Sequence, residues 1–388
     1  MKAEGPIPHR MGRVTILCDP ITDPYGVNRV TIHLANYFAG SHDVEVVSPT
    51  VVDGVRSHFS SRRITLSDLG ERLISRSPSF AYAEAWAREA LFRMNGGAWD
   101  RRRPEDTGVV INLSNTVTAP SDVWYLQGAV GYAISKVASV ALGQRSSGPG
   151  LLSPLLDTMD RIQIRAVSSR ARRRIANSNY CKSSYRQFGV RVDEVVYPPL
   201  DTSVFRPLTE NPSADYCVAY LGKETDPEIV FALAEAGVRL RVFGSKIERV
   251  PPKLVHHRNI SIEGRLTDRD LALLYSNAKL TIFPFTIEPF GYIPVESTAC
   301  GTPVLTYNRE GPSENIVDGQ TGWTCRDPDE MVRRATMIWN DSVITPQMRT
   351  NCTRLSANFS VERIGERWLS IVKELSGSPA GRAGSSGA

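Results

Sequence analysis

Leu280-Thr-Ile-Phe-Pro284-Phe-Thr-Ile-Glu288-Pro-Phe-Gly-Tyr-Ile-Pro-Val-Glu296 carries the signature of the fold. Four residues of buried-strand character meet a proline that cannot extend a ladder. In an open α/β sheet ligands bind beyond the carboxyl ends of the strands, so Glu288 falls at a ligand-binding edge. Glu296 falls roughly a turn and a half into a helix that begins near Gly291. Pro289 and Gly291 suit a tight loop whose amides lead into a helix N-terminus, a setting that favours an anion such as a diphosphate. Two carboxylates at different depths suit two sets of hydroxyls, one on a sugar and one on a ribose. The competing reading is two surface acids at a helix start, where acids are common.

Outward from this stretch, short apolar runs alternate with amphipathic ones, the pattern of an α/β chain with mainly parallel sheets. In the second half the pattern predicts strands at 217–221, 240–243, 260–262, 280–283 and 304–306. Helices are expected at 228–236, 268–276 and 293–300. In the first half strands are expected at 13–18, 43–47, 109–113, 123–126 and 195–197, and helices at 27–38, around 71–93 and at 153–172. Tyr197-Pro-Pro199 interrupts any regular element, and the polar stretch Thr209–Asp215 follows it. The expected layout is a first domain at 1–205, a second at 206–357, a helix at 358–376 returning to the first domain, and a disordered Gly/Ser/Ala tail at 377–388.

With 388 residues, 41% hydrophobic and 22% charged, the chain has the size and composition of a two-domain globular protein. No apolar run approaches the roughly 18 residues of a membrane span. The segment Met1–Gly12 lacks a secretory core. Cys18, Cys181, Cys217, Cys300, Cys325 and Cys352 are scattered without paired spacing, which argues against a disulfide framework or zinc site and for a reducing, cytoplasmic setting. The net charge of +5 is uneven, with Arg101–Arg103 in one cluster and Arg161, Arg165, Arg170, Arg172, Arg173 and Arg174 in another. Such clusters attract phosphates, anionic lipid or nucleic acid, or are solvated faces.

The run Glu288-Pro-Phe-Gly291, Glu296-Ser297, Ala299-Cys-Gly301 and Pro303-Val304 resembles the E-x7-E signature of glycosyltransferase family 4. The likeness continues through Gly311-Pro-Ser-Glu314, Asp318-Gly319 and Gly322-Trp323. Upstream, Val195–Pro207 looks like that family's interdomain crossing, above all in its mannosyltransferase branch. Ala176–Asn179, Gly264-Arg-Leu266, Asp268 and Leu274-Tyr275 also stand in order. The resemblance implies a GT-B fold, that is, two Rossmann-like α/β domains with parallel sheets facing an interdomain cleft. It further implies a retaining hexosyltransferase, metal-independent and needing no cofactor besides a nucleotide-diphosphate sugar as co-substrate. By position Glu288 would meet the donor sugar, with Phe290, Gly291 and Tyr292 beside sugar and phosphate. Glu296 would bind the ribose, and Arg265 and Leu266 would lie by the nucleobase.

The family usually supplies an Arg and a Lys for the diphosphate. Here Gly222-Lys223 fills the first position, and Glu224–Val238 contains no Lys or Arg, which leaves Lys246 as a substitute or as a solvated lysine. A histidine often follows the strand that reads Asp122–Leu126; Gln127 stands in its place, able to hydrogen-bond but not to act as a base. At the end of the first strand Gly26 suits either close backbone approach of the ligands or an ordinary turn, and Val27, Asn28 and Arg29 are acceptor-side candidates. His33 is read as packed on the first helix. For Arg165, Arg170, Arg172, Arg173 and Arg174 the resemblance favours a peripheral anionic membrane face, since many relatives use lipid-linked acceptors, over nucleic acid. The expected acceptor is a glycan, a lipid-linked sugar or a small molecule. Two alternatives stay open: a sugar-nucleotide epimerase or phosphorylase-like enzyme on the same fold, and a non-catalytic sugar-nucleotide-binding protein.

Overall fold

The computed structural model describes residues 12–24, 26–74, 78–104, 106–141, 153–222, 225–244, 250–341 and 343–377. Lys223, Lys246 and the expected tail from 378 onward lie outside the described residues.

Two wholly parallel sheets form the frame. The first contains β1 (Arg13–Leu17), β2 (Asp43–Ser48), β3 (Ile64–Asp68), β4 (Val109–Asn112), β5 (Ser121–Leu126), β6 (Ala171–Ala176) and β7 (Glu194–Val195), in the spatial order β3-β2-β1-β4-β5-β6-β7. The second contains β8 (Cys217–Tyr220), β9 (Leu240–Phe243), β10 (Ile260–Gly264), β11 (Leu280–Phe283), β12 (Val304–Tyr307) and β13 (Gly322–Cys325), in the order β10-β9-β8-β11-β12-β13. Parallel strands covered on both faces read as continuous apolar runs, which is why Val-Val-Ile and Leu-Thr-Ile-Phe were legible as strands. In each sheet the strand order reverses once, between β1 and β4 and between β8 and β11. At such a reversal neighbouring loops diverge and leave a crevice.

The expected two-domain α/β arrangement is therefore present, with three strands added and two helices shortened, the one expected around 71–93 running Pro78–Phe92. The helix expected to reach 172 ends at Ser168, and Arg172–Arg174 belong to β6. A strand reading Ala-Arg-Arg-Arg-Ile-Ala is tolerated because carboxylates meet its charges. Arg172 pairs with Asp122 at 3.0 Å, Arg173 with Glu374 at 2.7 Å and Arg174 with Asp193 at 3.4 Å.

The first core joins Val14, Ile16, Ile111, Val123 and Ile175 of the sheet to Leu34 and Phe38 of the helix Val27–Phe38. It also takes in Trp368, Ile371 and Val372 from the helix Val361–Ser376, the last element of the described chain. Trp368 packs edge-on to Tyr125 of β5 with ring centroids 5.4 Å apart. The chain thus crosses between the domains twice, and the two crossings pair. Leu200 N–H donates to Phe359 O at 2.7 Å, and Val361 N–H donates to Leu200 O at 3.0 Å. Phe205, Tyr216, Phe290 and Phe359 fill the space around this double crossing.

Candidate functional site

Both reversal points carry polar devices. In the first sheet the buried Asp19 carboxylate, just beyond β1, accepts from Ser114 Oγ at 2.6 Å and from the amides of Asn115 and Thr116, which binds the loop after β4 to the loop after β1. Burial raises its carboxyl above the usual range, and these donors counter the rise. In the second sheet Thr225 and Phe285 form a bridge between the loops after β8 and β11. Glu288 follows in the second of these loops, at the carboxyl edge where its spacing from β11 put it.

The Glu288 turn is tightly organised. Glu288 Oε1 accepts from Phe290 N–H at 3.2 Å and Gly291 N–H at 3.1 Å. These are the amides that the sequence offered to an external anion, and here an internal carboxylate satisfies them. Gly291, in the left-handed region at φ 93°, then starts the helix Tyr292–Ala299. Phe290 is buried in the aromatic cluster of the double crossing, so only its backbone faces the turn. Glu288 N–H donates to Glu310 Oε2 at 2.6 Å, and Gly311 N–H donates to Glu288 O at 3.1 Å. The two loops lie so close that a Cβ on Gly311 would stand 2.2 Å from Pro289 O.

Glu296 is 4% exposed and does not line open space in this structure. Its Oε1 is hydrogen-bonded by Arg29 Nη1, and its Oε2 accepts from Tyr275 OH at 3.3 Å. Arg29 reaches it from the helix Val27–Phe38 of the first domain, and its other nitrogen meets Asp268 at 3.0 Å. The guanidinium lies between the rings of Phe205 and Tyr292, 5.6 and 5.4 Å from their centroids. Burial raises the Glu296 carboxyl, and Arg29 is the counter-charge that opposes the rise. The ribose carboxylate expected from the resemblance is therefore an interdomain ion pair here. The spacing of residues held no signal for a partner on another domain.

Further contacts of Glu314, Ser178 and Tyr292 close the cleft. Glu314 accepts from Asn179 N–H at 2.9 Å, Tyr180 N–H at 2.6 Å and Tyr197 OH at 3.1 Å. Ser178 Oγ donates to Pro289 O at 2.7 Å, and Tyr292 OH donates to Pro199 O at 3.1 Å. The segments Ala176–Asn179 and Gly311–Glu314, read only as separate motifs in the sequence, thus meet each other across the domains.

The remaining candidates are placed as follows. Gln127 is 7% exposed, and its Nε2 donates to Leu113 O at 2.6 Å. Its neighbour Gly128 touches the Glu288 turn so closely that a Cβ would lie 2.8 Å from Pro289 Cγ. Gly222 is covered by the ring of Tyr220, which a Cβ would overlap at 2.3 Å. Arg265 is exposed, and Leu266 is half-buried along a groove of about 570 Å3 that Tyr216, Arg241 and Asp270 also line. Gly26 has nothing within 4 Å of where its Cβ would be, and its φ of 55° turns the chain into the helix, the conformation of a turn glycine. Val27 opens that helix half-buried, and Asn28 Nδ2 donates back to Asp23 O at 3.1 Å. The proposed basic face also changes. Arg170 donates to Thr118 O, and Arg172, Arg173 and Arg174 each face a carboxylate named above, with Arg165 and Arg172 exposed. Among the described residues no helix is long and apolar enough to cross a membrane.

Residues 237–355 match the family described as "Glycosyl transferases group 1". Alpha-1,3/1,6-mannosyltransferase alg-2 of Neurospora crassa is 30% identical over 121 residues, a match that covers 30% of this chain and 25% of that protein. Sucrose-phosphate synthase of Thermosynechococcus elongatus superposes with a TM-score of 0.69 at 15% identity, covering 94% of this chain and 99% of the other. Anabaena Alr3699/HepE in complex with UDP and glucose gives 0.68 at 14% identity, covering 94% and 100%. The structural likenesses establish the GT-B fold, and the sequence matches bear out the resemblance read from the second half of the chain.

Proposed function

From the match of residues 237–355 to the glycosyl transferases group 1 family, we propose a retaining glycosyltransferase that moves a hexose from a nucleotide-diphosphate sugar to a glycan, lipid-linked or small-molecule acceptor. The observation that carries it is the Glu288–Gly291 turn at the carboxyl edge of β11, held against the first domain at Pro289. In this reading Glu288 grips the donor sugar and Glu296 the ribose, with Arg265 and Leu266 beside the base. Mannose is the hexose suggested by the likeness to the mannosyltransferase. The bond from the anomeric carbon to the diphosphate oxygen breaks while the acceptor oxygen bonds the same face. The leaving phosphate takes the acceptor's proton, a route that asks for no base at Gln127. Lys223 and the amides at the start of the helix Tyr292–Ala299 stabilise the charge that develops on the diphosphate, with Lys246 as a second cation. Donor binding then requires Arg29 to share or release Glu296.

Peripheral attachment to an anionic leaflet enters this proposal through one helix face, where Arg161, Ile162, Arg165 and Leu155 are exposed. Liposome flotation of Arg161→Glu with Arg165→Glu tests it, and undiminished flotation refutes it.

A second reading, a non-catalytic sugar-nucleotide-binding protein, is favoured by one observation: the slot where a base would stand holds the buried Gln127, whose amide is bound to Leu113 O. Incubation with UDP-, GDP-, dTDP- and ADP-sugars and both lipid and soluble acceptors separates the two, with product and free nucleotide measured, with and without a chelator. Transfer abolished in Glu288→Ala supports the enzyme; transfer that survives the substitution refutes the site. Donor binding without turnover supports the second reading.

A further inference from the structure

We infer that Glu310, with Arg309 behind it, is a positioning residue that holds the Glu288 turn in its working shape. The inference rests on the reading above that Glu288 meets the donor sugar.

Glu310 is one of three non-glycine residues with positive φ among the described residues, at 57°. A side chain in that region costs about 1–2 kcal/mol and persists only where its surroundings demand it. What the conformation secures is visible. It brings Oε2 to the amide of Glu288 at 2.6 Å while Oε1 faces Arg309 Nη1 at 2.9 Å. Arg309 in turn donates to Phe285 O at 2.8 Å and Thr286 O at 3.1 Å. Its guanidinium is stacked on Phe285 and Tyr307, 4.6 and 4.8 Å from the ring centroids. Two adjacent residues therefore bind the carbonyls of 285 and 286 and the amide of 288, the backbone groups that lead into the turn. The Glu288 carboxylate, folded back onto the amides of 290 and 291, inherits its position from them. A glycine at 310 would adopt the same φ without strain, so the fold does not need a carboxylate there. The function does.

The experiment compares Glu310→Gly and Glu310→Gln with the full-length protein. Amide hydrogen exchange across 286–292 reads the turn directly, without any substrate. Glu310→Gly is expected to keep or raise the melting temperature while exchange at Glu288 quickens at least about tenfold, the loss of one buried hydrogen bond. With donor and acceptor, kcat is expected to fall about tenfold to a hundredfold with a smaller change in donor KM, as a misplaced group costs. Glu310→Gln, which keeps an acceptor for the Glu288 amide, recovers part of both losses. Unchanged exchange in Glu310→Gly overturns the proposal, as does a lower melting temperature that accounts for the lost activity. If wild type transfers no sugar, the functional reading fails while the exchange result still decides whether Glu310 sets the turn.

Discussion

Arg29 of the first domain is bound to Glu296 of the second, so one buried ion pair joins the two sheets. Removing one partner of such a pair leaves an uncompensated charge in a desolvated site. Arg29→Met is expected to destabilise the protein by about 3–5 kcal/mol, and Glu296→Gln in the same chain to restore most of that. Thermal unfolding of the two single variants and the double variant measures it. Additive losses would show that the two side chains do not depend on each other.

Glu314 should act on domain closure more than on folding. It accepts from four donors across the cleft, and Glu314→Ala is expected to weaken the closed form by about 2 kcal/mol. Small-angle scattering would register a larger radius of gyration. A wild-type radius together with wild-type transfer rates would place the closing force elsewhere.

His33 gives the fold a pH dependence of known sign. Burial, helped by the Arg29 charge, lowers its folded pKa from 6.5 to about 4. Between those values the unfolded chain binds a proton that the folded chain refuses, so stability is lost as pH falls from about 6.5 towards 4. The loss reaches about 3 kcal/mol at the acid end. Urea unfolding at several pH values should show His33→Gln losing less stability than wild type on the acid side by that amount. Parallel profiles would remove His33 from the account.

Trp368 is fully buried beneath the first sheet, edge-on to Tyr125. Trp368→Ala is expected to cost about 3–5 kcal/mol, since the cavity it leaves cannot collapse fully. Limited proteolysis should show cleavage shifting to the first domain. Cleavage confined to residues of the second domain would mean that the last helix stabilises the wrong partner.

Particular residues show what the sequence could and could not reveal. β8 to β12 were legible because buried parallel strands are short apolar runs ended by turn formers. β6 was not, because Arg172, Arg173 and Arg174 look like a solvated face until Asp122, Glu374 and Asp193 are seen beside them. β13, the edge strand Gly322–Cys325, has too few apolar residues to stand out. The Glu288 turn was placed correctly by its distance from β11. Its occupant was not foreseen, because a carboxylate folding back onto its own amides is a matter of local geometry. Arg29 on Glu296 and Glu310 on the Glu288 amide were invisible for a further reason: each joins residues from elements that periodicity treats one at a time.

The paired crossings at Leu200 and Phe359–Val361 make the second domain an insert, bounded on both sides by neighbouring backbone. It is a cassette with its entry and exit at one point. A gene cut once between the sheets would strand the last helix and expose the floor of the first core. Two cuts, just after Leu200 and just before Ser360, would instead lift out the whole second sheet with its helices and leave ends close enough to rejoin. The two sheets can therefore be exchanged as modules, provided that both seams move together.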